Sequence, residues 1–226
     1  MVWTVSEAIQ HEIESKTNLK NVCALPNPIN CSEINKKAAE KCDLVFDSEK
    51  TNIVMIGRLS KEKGFARVIE FMCNNVFKKY PNTHLYILGG GNIDGYKNFI
   101  NKFEHNEKIS LLGAKENPFP YLKQSQLLIC PSIDESFGLV LLEAMFLKIP
   151  VITTDTVGGK YVTQHNTLGC CVNNSAPALQ AAVEAFLADA NTYKYSLDAA
   201  KNWAEQHDLK FFEKRILELL EKCDKK

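Results

Sequence analysis

Between residues 51 and 154 the chain alternates short, continuously apolar runs with longer segments in which apolar and polar positions mix. The runs are TNIVMIG (51–57), HLYILG (84–89), KISLLG (108–113), QLLIC (126–130) and PVITT (150–154). Between them lie GFARVIEFMCNNVFKKY (64–80), DGYKNFINKF (94–103), PFPYLKQ (118–124) and GLVLLEAMFL (138–147). An apolar run without alternation is what a strand buried on both faces requires, whereas spaced apolar positions suit a helix with one buried side. Strand and helix in regular turn predict an α/β fold, a parallel sheet with helices on both faces. The segment from Ala176 to Cys223 reads as a charged, helical C-terminal tail in about three pieces.

The first 50 residues follow a different pattern. VWTV reads as a strand that extends another sheet, SEAIQHEIESKT as a helix, and VCALPNPIN as a turn into the next unit, punctuated by Pro26 and Pro28. The chain is therefore expected to begin in the middle of an architecture.

Composition narrows the function classes. With 226 residues there is room for one large α/β domain, or a domain and a fragment, around a sizeable core. The 27 basic residues balance the 27 acidic ones, so no basic surface calls for nucleic acid, and any polyanion must be met locally. None of the eight cysteines forms a C-x-x-C pair, and Cys73, Cys130 and Cys170 lie in apolar surroundings, as reduced thiols of a cytoplasmic protein do. No metal-ligand spacing joins the cysteines to His11, His84, His105, His165 or His207, which match no motif. No apolar run approaches the ~20 residues of a membrane span, and the N-terminus lacks the layout of a signal peptide. A soluble chain is expected.

In an open parallel sheet, ligands lie beyond the carboxyl ends of the strands, so the loops there carry the candidate chemistry. After TNIVMIG come Arg58 and then LSKEKG, which sets Lys63 five positions on and Gly64 at the turn into a helix. A planar fork beside a mobile ammonium suits a diphosphate; the alternative is a pair of solvated cations. After HLYILG come Gly90 and Gly91, where backbone approaches a ligand closely or merely turns; the spacing is not that of a dinucleotide fingerprint. PSIDESFG follows QLLIC, and unpaired backbone N–H groups at Phe137 to Leu139 would form an anion site at the next helix start.

Two carboxylates belong to that last segment. In a helix from about Gly138, Leu139, Leu142 and Phe146 form an apolar stripe with Glu143 on its edge. A carboxylate taken from water costs several kcal/mol unless it is hydrogen-bonded, so Glu143 needs a partner or must reach solvent at the rim. Glu135 stands eight residues earlier, about 12 Å in rise were both on one helix, which is comparable to the reach from a sugar across a diphosphate to a ribose. Its rival role is a capping box with Ser132.

Taken together, GRLSKEKG (57–64), LYILGGG (85–91), ISLLGAKE (109–116), PSIDESFGLVLLEAM (131–145) and IPVITTD (149–155) make the chain similar to the C-terminal, donor-binding half of a family 4 glycosyltransferase of GT-B architecture. ALPNPIN resembles the segment leading into that domain, and VWTVSEA the end of the N-terminal domain. The resemblance implies residues 1–50 as a remnant of the N-terminal domain, 51–190 as a Rossmann-like nucleotide-sugar-binding domain and 191–226 as C-terminal helices.

It also implies roles for individual residues. Arg58 and Lys63 would hold the donor diphosphate, Glu135 would contact the donor sugar as a third catalytic residue, and Glu143 would accept from the two ribose hydroxyls. Phe137, Gly138 and Leu139 would offer backbone N–H groups near the sugar and phosphate, Leu112 and Gly113 would flank the base, and Gly57 and Gly90 would line the donor site. Anomeric configuration would be retained with no cofactor and no essential metal, in keeping with the lack of a D-x-D segment. The partners implied are a nucleotide sugar, a UDP-hexose favoured by NPIN, an N-terminal acceptor domain outside this chain, and a saccharide or lipid-linked acceptor. Peripheral membrane contact would come through the full enzyme.

One loop departs from the family: TVGGKYVTQHN carries Val162 where an acidic residue often follows Gly-Gly. Two other functions remain open, a non-catalytic nucleotide-sugar-binding subunit and a GT-B-like epimerase. A nicotinamide-dependent enzyme is disfavoured by the missing dinucleotide fingerprint.

Overall fold

A computed structural model describes residues 2–189, 193 and 195–224. Eight strands are present among the described residues: β1 (Val2–Thr4), β2 (Val22–Ala24), β3 (Thr51–Ile56), β4 (Thr83–Leu88), β5 (Ile109–Gly113), β6 (Leu127–Cys130), β7 (Val151–Thr154) and β8 (Cys170–Val172). The last six form one sheet in the order β5-β4-β3-β6-β7-β8, with every pair parallel. β1 and β2 pair in parallel as a separate two-stranded sheet. The helices α1 (Glu7–Lys16), α2 (Cys31–Ala38), α3 (Phe65–Phe71), α4 (Phe77–Lys79), α5 (Ile93–Ile100), α6 (Phe119–Lys123), α7 (Leu139–Phe146), α8 (Val157–Val162), α9 (Ala176–Ala188), α10 (Leu197–Glu205) and α11 (Leu209–Asp224) fill the connections and the tail.

The apolar runs become central strands because both of their faces are covered. Ile53 and Met55 of β3 join Leu127 and Ile129 of β6 in a core beneath α3, α5 and α9. Val54, Leu128 and Cys130 point the other way, into a core closed by α2, α6, α7 and α10. Period-two alternation thus divides each strand between two cores, and each fully buried Leu or Ile contributes roughly 1.5–3 kcal/mol. α3 runs through a π-helical turn, Met72–Val76, into α4, so the expected 64–80 helix is nearly continuous.

Several expectations need correction. VCA, read as part of a turn, is the strand β2, and α1 is the crossover of a small βαβ unit. Neither α8 nor β8 was expected as an element; with three residues, β8 is too short to show a pattern. α9 is not a charged tail helix: Leu179, Val183 and Phe186 are buried in the sheet's core. Leu139 does not belong to a buried stripe with Leu142 and Phe146, being 40% exposed.

The segment before α2 is tied to the α10–α11 junction. Ile29 N–H donates to His207 O (2.8 Å), Leu209 N–H to Ile29 O (2.9 Å), and Cys31 N–H to Asp208 Oδ2 (3.1 Å).

Candidate functional site

The strand order reverses between β3 and β6: β4 and β5 extend the sheet to one side of β3, while β7 and β8 extend it beyond β6. Such a switch point leaves a crevice at the carboxyl ends, because the connections from the two adjacent strands run to opposite faces. Arg58 and Lys63 follow β3, and PSIDESFG follows β6. The segments that carry the candidate chemistry therefore leave neighbouring strands.

Glycine builds one wall of the crevice. A Cβ on Gly89 would lie 1.7 Å from Gly57 O, so the ends of β3 and β4 can meet only without a side chain there. Gly57 N–H donates to Leu88 O (2.9 Å), Gly89 N–H to Gly113 O (2.8 Å) and Leu59 N–H to Gly90 O (2.8 Å). Gly57, Gly90, Leu112 and Gly113 are all half-buried on this rim, where strands β3, β4 and β5 end.

Lys63 and Glu135 meet across the switch. Lys63 Nζ stands 2.6 Å from Glu135 Oε2, with the side chains 28% and 15% exposed. Ser132 Oγ donates to the same oxygen at 3.2 Å. The S-x-x-E contact is thus between side chains and is not a capping box, because the helix begins only at Leu139. Gly138 explains the delay: its φ of 88° is left-handed, a turn that keeps Glu135 off α7, so the two carboxylates do not share a helix as the spacing allowed. Arg58 is exposed and forms no ion pair among the described residues, so the cation that the fold pairs with Glu135 is Lys63 alone.

Five of the eight residues of α7 are buried, and the other three, Leu139, Val140 and Glu143, are not. They lie at i, i+1 and i+4, on one side of the helix starting at its amino end. The side chain of Glu143 is half-buried there, its carboxyl without a hydrogen bond or ion pair among the described residues, and desolvation pushes that carboxyl up to about 7. No side chain caps α7, and Leu141 N–H donates to Gly138 O (3.0 Å), which leaves the N–H groups of Leu139 and Val140 available for an anion. Phe137 places its ring inward, near Tyr161 (5.5 Å between centroids) and His207 (6.1 Å), so only its backbone can serve the crevice.

Other features of the site are not visible in the sequence. Arg67 of α3 donates through Nη2 to Pro131 O (2.5 Å) and to Asn174 Oδ1 (2.8 Å), from an intermediate burial that pushes its guanidinium below its usual range. Among flanking helix residues it reads as one more solvated cation. Gly158 N–H donates to Glu135 O (2.7 Å), and a Cβ on Gly158 would stand 2.5 Å from the Phe137 carbonyl carbon. Gly158 therefore supports the Glu135 loop from behind. Val162, three positions after it, is fully buried, so an apolar filler occupies the place of the family's acidic residue.

Among the described residues no three of His, Cys, Asp and Glu gather to hold a metal ion. Burial pushes His84 down to about 4, and it shares a 2.9 Å hydrogen bond with Ser110 Oγ far from the pair. His207 is also buried, bonded to Tyr161 Oη (3.1 Å) and Trp203 O (3.0 Å).

The switch-point crevice thus has a Lys–Glu pair spanning it and an unpartnered carboxylate beside it. Residues 36–207 match the family of glycosyl transferases, group 1. The chain belongs to that family. It is 37% identical over 107 residues to an uncharacterized glycosyltransferase of Methanocaldococcus jannaschii, covering 47% of this chain and 26% of that protein. A Haemophilus influenzae uncharacterized glycosyltransferase is 22% identical over 209 residues, covering 91% of this chain and 57% of its own length. The chain therefore spans less than two thirds of these relatives. Its fold superposes on the Anabaena protein HepE, solved in complex with UDP-glucose, with a TM-score of 0.80 at 18% identity, covering 98% of this chain and 64% of that one. This group 1 glycosyltransferase chain thus has the Rossmann-like sheet of the GT-B enzymes. Among its described residues no helix is long and apolar enough to cross a membrane.

Proposed function

We propose that the chain is the donor-binding half of a retaining glycosyltransferase that takes a nucleoside diphosphate sugar, a UDP-hexose, and delivers the hexosyl group to a saccharide or lipid-linked acceptor. The carrying observation is Glu143, a half-buried carboxylate without a protein partner on the uncovered side of α7. Two ribose hydroxyls donating to it would supply the missing hydrogen bonds, each to a charged acceptor. Lys63 and Arg58 would face the diphosphate, with the free N–H groups at the start of α7 beside them. Leu112 and Gly113 would flank the base, and Glu135 would meet hydroxyls of the sugar.

The chemistry follows from that placement. As the acceptor hydroxyl oxygen bonds to the anomeric carbon on the face the leaving group vacates, the bond to the diphosphate oxygen breaks, its electron pair departs with the nucleotide, and the hydroxyl proton passes to that departing oxygen. Cations fixed around that oxygen stabilise the developing charge without reorganising. Acceptor positioning and water exclusion need a second wall, which we assign to sequence outside these residues. The UDP-glucose bound to HepE supports the choice of donor class.

The test is calorimetric titration of the 226-residue chain with UDP-glucose, UDP-galactose, GDP-mannose and NAD. Micromolar to millimolar binding of a UDP-hexose is expected from one open half-site. Binding of NAD with no affinity for any nucleotide sugar overturns the reading.

A further inference from the structure

Arg67 lies one turn beyond Lys63 and has no place among the donor contacts proposed above. Its Nη2 donates to the carbonyl oxygens of Pro131 (2.5 Å) and Ser132 (3.3 Å) and to Asn174 Oδ1 (2.8 Å). Asn174 Nδ2 donates in turn to Ile133 O (2.7 Å), and Thr154 Oγ1 to Ser132 O (2.5 Å). Three consecutive carbonyls ahead of Glu135 are thereby held by side chains from α3, β7 and the β8–α9 connection. On the far side of Glu135 the Gly158 N–H holds its own carbonyl (2.7 Å).

Gly64 permits the approach. A Cβ there would stand 2.0 Å from Pro131 O and 3.0 Å from Arg67 Nε, so the glycine after Lys63 admits the carbonyl that Arg67 bonds. Arg67 Nε is itself buried without an acceptor, and the guanidinium forms no ion pair among the described residues. A partly buried charge with no counter-ion is costly, more so than a neutral amide that would bond the same carbonyls. An occupant of the crevice that carries negative charge would offset part of that cost.

We infer that Arg67 is a positioning residue, which fixes the 131–133 carbonyls and so sets the loop position from which Glu135 reaches the donor sugar. The inference rests on the donor reading of this crevice. Glu143 has an independent support, since α7 is anchored by its own buried face. Loss of Arg67 should therefore release Glu135 while leaving the nucleotide contacts of α7 in place.

The experiment titrates the chain, Arg67→Gln and Arg67→Lys with UDP-glucose and with UDP, and follows hydrogen exchange of backbone amides 132–138, after thermal melts have shown which variants fold. For Arg67→Gln, UDP-glucose affinity is expected to fall about tenfold or more while UDP affinity changes less than about threefold. Amides 132–138 should exchange faster and those of α7 should not. Arg67→Lys keeps the charge without the planar fork and should recover part of the loss. If Arg67→Gln does not fold, Arg67→Lys is read by the same two measurements. A folded variant with an unchanged UDP-glucose to UDP ratio and unchanged exchange overturns the inference. A chain that binds neither ligand overturns the donor reading instead, and the exchange of 132–138 then decides the positioning role.

Discussion

The Lys63 ammonium lies 2.6 Å from the Glu135 carboxylate, joining the loops that follow β3 and β6 across 72 residues of sequence. At 28% and 15% exposure the pair is shielded enough to matter and open enough to be displaced. A diphosphate arriving at Lys63 would exchange one anionic partner for another and free Glu135 for the sugar.

In the absence of ligand, a double-mutant cycle of Lys63→Met and Glu135→Gln, read by denaturant unfolding, should return a coupling of about 1 kcal/mol. With ligand, Lys63→Ala and Arg58→Ala should each reduce the preference for UDP over uridine, and added salt should reduce it further. Equal losses for UDP and uridine would place these cations elsewhere.

Gly158→Ala should be among the most damaging single-methyl changes in the chain. The added Cβ would meet backbone atoms of Phe137 at 2.5 Å, where neither side can yield by a rotamer change. A stability loss of about 2 kcal/mol or more is expected, together with loss of UDP-glucose binding, because the same contact positions Glu135. Chemical denaturation measures the first effect and calorimetry the second.

Two groups give the ligand-free protein opposite pH dependences. Glu143 has a folded pKa of about 7, raised by desolvation above 4.5, so its contribution is fully present below pH 4.5 and is lost as pH rises through 7. Glu143→Gln should therefore stabilise the protein above pH 7, by up to roughly 3 kcal/mol, and change little below pH 4.5. His84 has a folded pKa of about 4, lowered by desolvation from 6.5, so its contribution is fully present above pH 6.5 and is lost as pH falls through 4. His84→Gln should flatten that acid limb. Urea unfolding from pH 4 to 8 resolves both slopes.

Much of the fold could be read because β3, β4, β6 and β7 are buried on both faces, and burial writes itself as uninterrupted apolar sequence. β2 and β8, at three residues each, carry too little sequence for any period to register. At the site, Lys63, Glu135 and Glu143 were visible as charges beside strand ends and helix starts. Their arrangement was not: one glycine, Gly138, decides whether Glu135 stands on α7, and a φ of 88° is not encoded in spacing. Leu139 misled because an apolar residue on the exposed start of a helix looks like core. Arg67 and Asn174 were hidden for the converse reason, since their partners are backbone carbonyls distant in sequence, and a carbonyl leaves no mark on residue type.

The most direct measurement titrates UDP-glucose into the chain and into Glu143→Gln at pH 7, in two buffers of different ionisation enthalpy. UDP-glucose does not itself titrate there, so any proton exchange belongs to the protein. Ribose hydroxyls donating to Glu143 favour its ionised form, and a carboxyl resting at about 7 must then release protons on binding. The expected result is a fraction of a proton released per UDP-glucose bound, tighter binding at pH 8 than at pH 6, and loss of both in a folded Glu143→Gln that binds about tenfold or more weakly. Equal affinity in the two proteins, with no buffer dependence in either, would contradict the assignment of Glu143 to the ribose.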